Sequence, residues 1–246
     1  FKKGAETLTV EGSFTGNDSK LSSTEGNIVL NGTGNSLTTL ELAGGDITLD
    51  GRNDGASRVT TVENLASGTG GGTLDLGKGA QLVVTGQQAG SHVTDVTVSG
   101  DGTLILGGEG TDSSLTLGNG SSLDGVLLDI REGSALSTAA GSVNTVSGLT
   151  GGGALKLSGA EMTVDSSASH TFTGTLDGAS GTLNFKSGNG SVQTIKGAGN
   201  AGYNLNVTDG GALTLAGAPA EGGNPAQAAY KGITVNGGTL NIGSAD

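Results

Sequence analysis

The amino-acid sequence predicts an all-β fold, a parallel β-helix (β-solenoid) with about three short strands per turn and roughly nine turns. Three observations carry the prediction. Glycine supplies 50 of 246 residues, proline 2, and aromatic residues 2% of the chain. That composition fits neither collagen, which needs proline, nor a compact core built on large rings. A short motif recurs, in which Gly and one small or polar residue precede an apolar-x-apolar pair. Within each copy, apolar and polar residues alternate with a period of two, as in a strand with one buried face. The same glycines exclude helices, since each costs about 1 kcal/mol in a helix interior.

In chain order the motif covers 26–30, 45–49, 72–76 and 102–106, then 153–157, 181–185, 211–215 and 238–242, with a degenerate copy at 133–136. The leading glycines are Gly26, Gly45, Gly72, Gly102, Gly133, Gly153, Gly181, Gly211 and Gly238. Two of the intervals between them are short, Gly26 to Gly45 and Gly133 to Gly153, and the other six are longer by about half. Strands of fixed length joined by loops of variable length give such a series. Further strand-like runs fill the intervals: Leu82–Val84 and Val93–Val98 after the copy at Gly72, Leu115–Leu117 and Val126–Leu128 after the copy at Gly102. Three runs per interval predict a triangular cross-section. Leu74, Leu104, Leu155, Leu183, Leu213 and Leu240 are expected to stack into one internal ladder, with Thr, Ser, Asp and Asn outward. Turns sharing one core form a single array, so residues 1–246 are expected to be one solenoid domain. Residues 216–232 interrupt the pattern, with Asn224, Pro225 and Gly232 placed to start and stop a short helix.

The net charge is −12. An acidic surface disfavours nucleic-acid phosphates and anionic lipids as partners. No cysteine is present, which excludes a disulfide framework and thiolate zinc sites. No run approaches the ~20 apolar residues of a membrane helix. The most charged stretch, 50–69, makes Asp50, Arg52, Asp54, Arg58 and Glu63 the candidate interaction surface.

Catalytic chemistry would have to rest on few residues. His92 and His170 are the two histidines, and no Gly-x-Ser-x-Gly elbow accompanies them, so a serine hydrolase is not expected. Residues 107–115 approach the calcium-binding Gly-Gly-x-Gly-x-Asp repeat, but Ser114 stands at its apolar position and the unit does not recur. Residues 197–202 match Gly-x-Gly-x-x-Gly with no helical stretch behind them. Asp75, Asp129 and Asp165 are the carboxylates a glycosidase groove would have to use, yet outward Asp also keeps a solenoid soluble. No enzyme activity, cofactor or metal is expected within this chain.

Residues 211–217 followed by 230–242, and 153–159 followed by 172–176 and 181–185, resemble the passenger-associated transport repeat of autotransporters: a Gly-x-Leu-x-Leu strand, a turn with Tyr or Phe, then a Gly-Gly-Thr-Leu strand. Residues 150–246 carry the likeness well, 70–130 loosely, and 1–70 only in composition. The resemblance implies a right-handed parallel β-helix secreted across a Gram-negative outer membrane, and a segment of a longer passenger whose signal peptide and C-terminal barrel are not in this sequence. The repeat is specific for the secretion route and does not name the activity, since such passengers include adhesins, self-associating factors, proteases and toxins. Long faces rich in Thr, Ser, Asn and Asp, able to make many weak polar contacts, lead to the expectation of an adhesin or self-association module whose partner is a second copy or a host or bacterial surface protein or glycan. Two other readings stand beside it: a passive stalk that aids secretion and presents another domain, and a carbohydrate-active β-helix enzyme.

Overall fold

A computed structural model describes the chain apart from residues 1–3, 17, 52–57, 87–90, 188, 197–201, 218–229 and 245–246. The described residues form 25 strands and no helix. The first half contains β1 (Thr7–Val10), β2 (Lys20–Ser23), β3 (Asn27–Leu30), β4 (Gly34–Leu42), β5 (Asp46–Leu49), β6 (Arg58–Ser67), β7 (Gly72–Leu76), β8 (Ala80–Val84), β9 (Ser91–Val93), β10 (Val96–Ser99), β11 (Thr103–Leu106) and β12 (Ser114–Leu117). Next come β13 (Ser122–Asp124), β14 (Leu127–Ile130), β15 (Ala135–Thr138), β16 (Val143–Val146), β17 (Gly148–Thr150), β18 (Ala154–Asp165), β19 (His170–Phe172) and β20 (Thr175–Lys186). The last strands are β21 (Val192–Ile195), β22 (Tyr203–Thr208), β23 (Ala212–Gly217), β24 (Gly232–Asn236) and β25 (Thr239–Ser244).

Every pairing between these strands is parallel, and together they wind a β-solenoid of about nine turns with three faces. The first face stacks β1, β3, β5, β7, β10, β13, β16, the second half of β18, the second half of β20, β22 and β24. The second face stacks the first halves of β4 and β6, then β8, β11, β14, β17, β19, β21, β23 and β25. The third face stacks β2, the second halves of β4 and β6, then β9, β12, β15 and the first halves of β18 and β20. Four long strands, β4, β6, β18 and β20, therefore run round a corner. In β4 the buried Leu37 and Leu40 are three apart, because the period-two alternation resets where the chain bends.

Register fixes the length of a turn. Leu74, Val98 and Leu123 stack on consecutive rungs of the first face, at sequence spacings of 24 and 25. Asn144 and Met162 are 18 apart, and Leu205 and Ile233 are 28 apart. The six leucines expected in one ladder divide among the faces. Leu74 and Leu183 lie on the first face, Leu104, Leu213 and Leu240 on the second, and Leu155 on the third. The glycine motif marks the entry to a strand at any of three corners. Intervals such as Gly72 to Gly102 and Gly181 to Gly211 therefore span one turn plus one further face. The apolar run Val93–Val98 is likewise two strands, β9 and β10. The strand β13, with the single leucine Leu123, precedes the expected run at Val126–Leu128.

The corners explain the glycines. At Gly211 an added Cβ would sit 2.2 Å from the Phe185 carbonyl of the preceding rung. At Gly72 both a φ of +141° and the Gly45 carbonyl 2.3 Å away exclude a side chain. Corner serines complete the backbone hydrogen bonding. The Ser121 hydroxyl accepts the Val96 N–H (3.1 Å) and donates to the Val93 carbonyl (3.1 Å), filling places a straight ladder would fill with peptides. One continuous apolar cluster runs from Leu21 to Leu213. The predicted helix at Asn224 and Pro225 lies outside the described residues, while Gly232 opens β24.

Candidate interaction surface

The outward side chains of a solenoid form columns, because parallel in-register strands place equivalent residues ~4.8 Å apart. On the first face one column reads Thr48, Asp75, Ser99, Asp124, Thr145, Thr163, Asn184, Asn206 and Thr234 along nine consecutive rungs. The neighbouring column, two residues earlier, includes Asn27, Asp46, Thr73, Thr97, Ser122, Glu161, Thr182 and Asn204. Hydrogen bonds run along and between these columns: Asn206 Nδ2 to Asn184 Oδ1 (2.9 Å) and the Thr97 and Ser122 hydroxyls at 3.3 Å along them, and Asn27 Nδ2 to Thr48 Oγ1 (3.1 Å) from one to the other. The acids on this face are Asp46, Asp75, Asp124, Glu161 and Asp165, against Lys186.

On the second face the outward column changes character halfway. Val83 and Ile105, only 8% and 5% exposed, precede Asp129, Thr150, Thr171, Thr194, Thr214 and Asn241. Asp129 accepts the Thr150 hydroxyl (3.1 Å) and lies 3.6 Å from the Arg131 guanidinium.

The third face carries Ser22, Glu41 and Ala66, then His92, Thr116, Ser137, Lys156 and Asp177. Each end of this face holds an ion pair across one rung. Lys20 lies 2.8 Å from Glu41, and Lys156 lies 3.4 Å from Asp177. The Lys20 ammonium, with the Ser22 hydroxyl (2.6 Å), holds the Glu41 carboxyl below its ordinary value. None of these four charged residues was singled out in the sequence. The signal was there: Lys20 and Glu41 are 21 apart, one turn, and Lys156 and Asp177 repeat that spacing.

The five residues of the charged stretch do not form one described patch. Arg52 and Asp54 lie outside the described residues. Asp50 leaves β5 at the corner between the first and second faces, its N–H donating to the Leu30 carbonyl (3.0 Å). Arg58 opens β6 and donates from its guanidinium to the Asn31 carbonyl of the preceding turn. Glu63 is exposed at the next corner, roughly 16 Å along the strand from Arg58.

Nor do the residues considered for chemistry converge. His92 is exposed on the third face and His170 begins β19 on the second. Asp75 and Asp165 share the first face but lie four rungs apart, roughly 19 Å, and Asp129 is on another face. A glycosidase pair needs about 5–9.5 Å. Residues 107–113 form the link from β11 to β12 and 114–115 open β12; in the link the Gly108 N–H bonds the Thr111 carbonyl at 3.1 Å. Of residues 197–202 only Gly202 is described. Among the described residues no group of three or more His, Cys, Asp or Glu is placed to hold a metal ion, and no helix is long and apolar enough to cross a membrane.

Two buried polar side chains make contacts that reach beyond the adjacent turn. The ladder of the second face is interrupted after β17, where an isolated bridge between Gly151 and Phe172 is the β-pairing to the strand β19. Across that gap the Gln193 carboxamide acts as a peptide group: Oε1 accepts the Leu149 N–H (3.1 Å) and Nε2 donates to the Leu149 carbonyl (2.9 Å). The His170 imidazole lies against Gly148, where an added Cβ would be 2.2 Å from Cδ2. Partial burial pushes its pKa below the ordinary histidine value. On the third face the pairing of β18 with β20 slips between Lys156 and Glu161. Tyr203, fully buried, reaches into that slip. Its hydroxyl accepts the Leu157 N–H (2.8 Å) and lies 2.6 Å from the Asp177 carbonyl and 3.0 Å from that of Leu155, to which it donates. Burial raises its pKa to about 12.

No family model, no curated protein and no solved structure matches this chain.

Proposed function

We propose that this chain is an adhesive, self-associating module of a bacterial cell-surface protein, of the autotransporter passenger type that its Gly-x-Leu-x-Leu repeats resemble. The observation that carries the reading is the register of the outward columns. Nine consecutive rungs of the first face present Thr, Ser, Asn or Asp at one position, and the third face presents an outward column of its own over eight rungs, from Ser22 to Asp177. A surface of this kind makes many weak, equivalent polar contacts along its length. Such contacts bind poorly one at a time and strongly when many copies on one cell face many on another. The solenoid suits extracellular work, since its backbone is satisfied rung by rung and no disulfide has to form.

The test is paired. Purified chain is sedimented over a concentration series, and bacteria displaying the chain are scored for clumping. Concentration-dependent association together with clumping is the expected result. A monomeric rod whose display leaves cells dispersed and non-adherent would overturn the reading in favour of a passive stalk.

A further inference from the structure

The three faces differ in how two copies could meet. The first face is acidic along its length, with Asp46, Asp75, Asp124, Glu161 and Asp165 against Lys186, so two copies laid face to face bring like charges together. The third face is different. Its eight rungs run from β2 to the first half of β20, roughly 34 Å. The middle four outward positions are Ala66, His92, Thr116 and Ser137, a low surface without long acidic or basic side chains. The charged residues sit at the two ends in a reciprocal order. Lys20 and Glu41 occupy rungs one and two, Lys156 and Asp177 rungs seven and eight.

We propose that two copies of this chain pack antiparallel through their third faces, about a two-fold axis between β9 and β12. This rests on the self-association reading above. The two-fold places rung one opposite rung eight and rung two opposite rung seven. Glu41 then faces Lys156 of the second copy, and Asp177 faces Ser22, with the Lys20 ammonium, which leans across to Glu41, beside it. Each end of the interface becomes a cluster of two ammonium and two carboxylate groups in alternation. A two-fold interface must complement itself, and this ordering does so only when the copies are antiparallel. In a parallel arrangement like charges would meet. Lys20, Lys156 and Asp177 are 54%, 42% and 60% exposed and Glu41 is 19% exposed, so the three outer groups meet the second copy directly and Glu41 offers the edge of its carboxylate. A strip about 13 Å wide and 34 Å long buries on the order of 1,000 Å² in total, the low end for a specific interface. The pairing is therefore weak for one molecule in solution and effective for an array on a surface.

The test uses two single charge reversals in the whole chain, Glu41→Lys and Lys156→Glu, followed by sedimentation and by circular dichroism to check the fold. In a homodimer of either variant, like charges meet at both ends, and association is expected to weaken tenfold or more. Mixed in equal amounts, the two variants meet with their introduced charges, opposite in sign, paired at one end and the native pair kept at the other. The mixture is expected to recover wild-type association, which an unfolded variant could not do. A face-one control, Asp124→Lys, is expected to leave antiparallel pairing in place. Three results would overturn the proposal. If the wild type associates but neither reversal weakens it, another face is used and the self-association reading survives. If the mixture fails to recover, the antiparallel geometry is wrong. If the wild type stays monomeric while Lys156→Glu cuts attachment to host cells, the third face takes a foreign partner, and self-association falls with it.

Discussion

The central turns, from β7 to β14, and the later turns, from β17 to β22, solve the same problem differently. In the centre the inward positions of the second face are Leu82, Leu104 and Leu128, with Val84, Leu106 and Ile130 beside them. Each touches the rung above and the rung below. In the later turns the same face has a break in its sheet, and the third face has a slipped register. There the core turns to larger and more polar side chains: Phe172, Phe185 and Tyr203 are all fully buried, and Gln193 is 2% exposed. The contacts of Gln193 with Leu149 and of Tyr203 with Leu157 span 44 and 46 residues, two turns and not one. Regular stacking makes a solenoid a chain of nearest neighbours. Where stacking fails, a side chain that can imitate a peptide group restores the missing hydrogen bonds and ties next-nearest turns together.

The largest effect should come from the regular region. Leu104→Ala removes a fully buried leucine and is expected to cost about 2–5 kcal/mol. Amide exchange should rise in the neighbouring rungs and little beyond, because no side chain there carries the damage further. An equal rise throughout the rod would break the distinction between the regions. Gln193→Leu keeps the volume but leaves the buried N–H and C=O of Leu149 without partners. It should cost about 2–4 kcal/mol in urea unfolding, and exchange should rise on both sides of the gap, in β17 and in β21. Confinement to β21 would mean that the carboxamide is not a structural link. Tyr203→Phe removes a hydroxyl bonded to three backbone groups and should cost about 1–3 kcal/mol.

Tyr203 also predicts alkaline behaviour. Its folded pKa of about 12 lies above the ordinary tyrosine value, so the unfolded chain releases its proton first. Stability should fall as pH rises from about 10 towards 12, and Tyr203→Phe should flatten that fall. Thr138→Val sharpens the contrast with the opposite sign. Thr138 is inward and buried between Leu117 and Leu157, and its hydroxyl has no hydrogen-bond partner. Replacing it should stabilise the chain by about 1 kcal/mol in thermal unfolding. The smallest expected effect belongs to His170. Its folded pKa is depressed by burial, so the unfolded chain takes up the proton first on acidification. Stability should be full above about pH 6.5 and decline as pH falls below it. His170→Gln should reduce that decline.

The regular region is legible in the sequence and the irregular one is hidden. Alternation such as Thr73-Leu74-Asp75-Leu76 identifies a half-buried strand from the side-chain pattern alone. The face a strand belongs to was not legible, because the Gly that opens the motif is demanded by close approach at every corner. The copies at Gly72 and Gly102 look alike and lie on different faces. Strand β13 was missed because only Leu123 faces inward in its three residues. Gln193 and Tyr203 sit in ordinary alternating runs, and nothing local tells that their partners lie two turns back. The third-face ion pairs were within reach. Turns here run from 18, between Asn144 and Met162, to 28, between Leu205 and Ile233. Opposite charges 21 apart, as Lys20 and Glu41 are, fall inside that range and mark one rung.

The ties across two turns bear on what happens when the rod is pulled along its axis. A regular turn such as the one between Leu74 and Val98 can peel off alone, releasing about 24 residues and lengthening the tether by roughly 80 Å. The stretch from Leu149 to Tyr203 cannot yield in such small steps, because Gln193 and Tyr203 tie its last turn to the one two turns back and enclose the turn between. It should give way as one event of about 54 residues, roughly 190 Å long and at higher force. Such a protein would extend under load in short increments first and keep one long reserve for last.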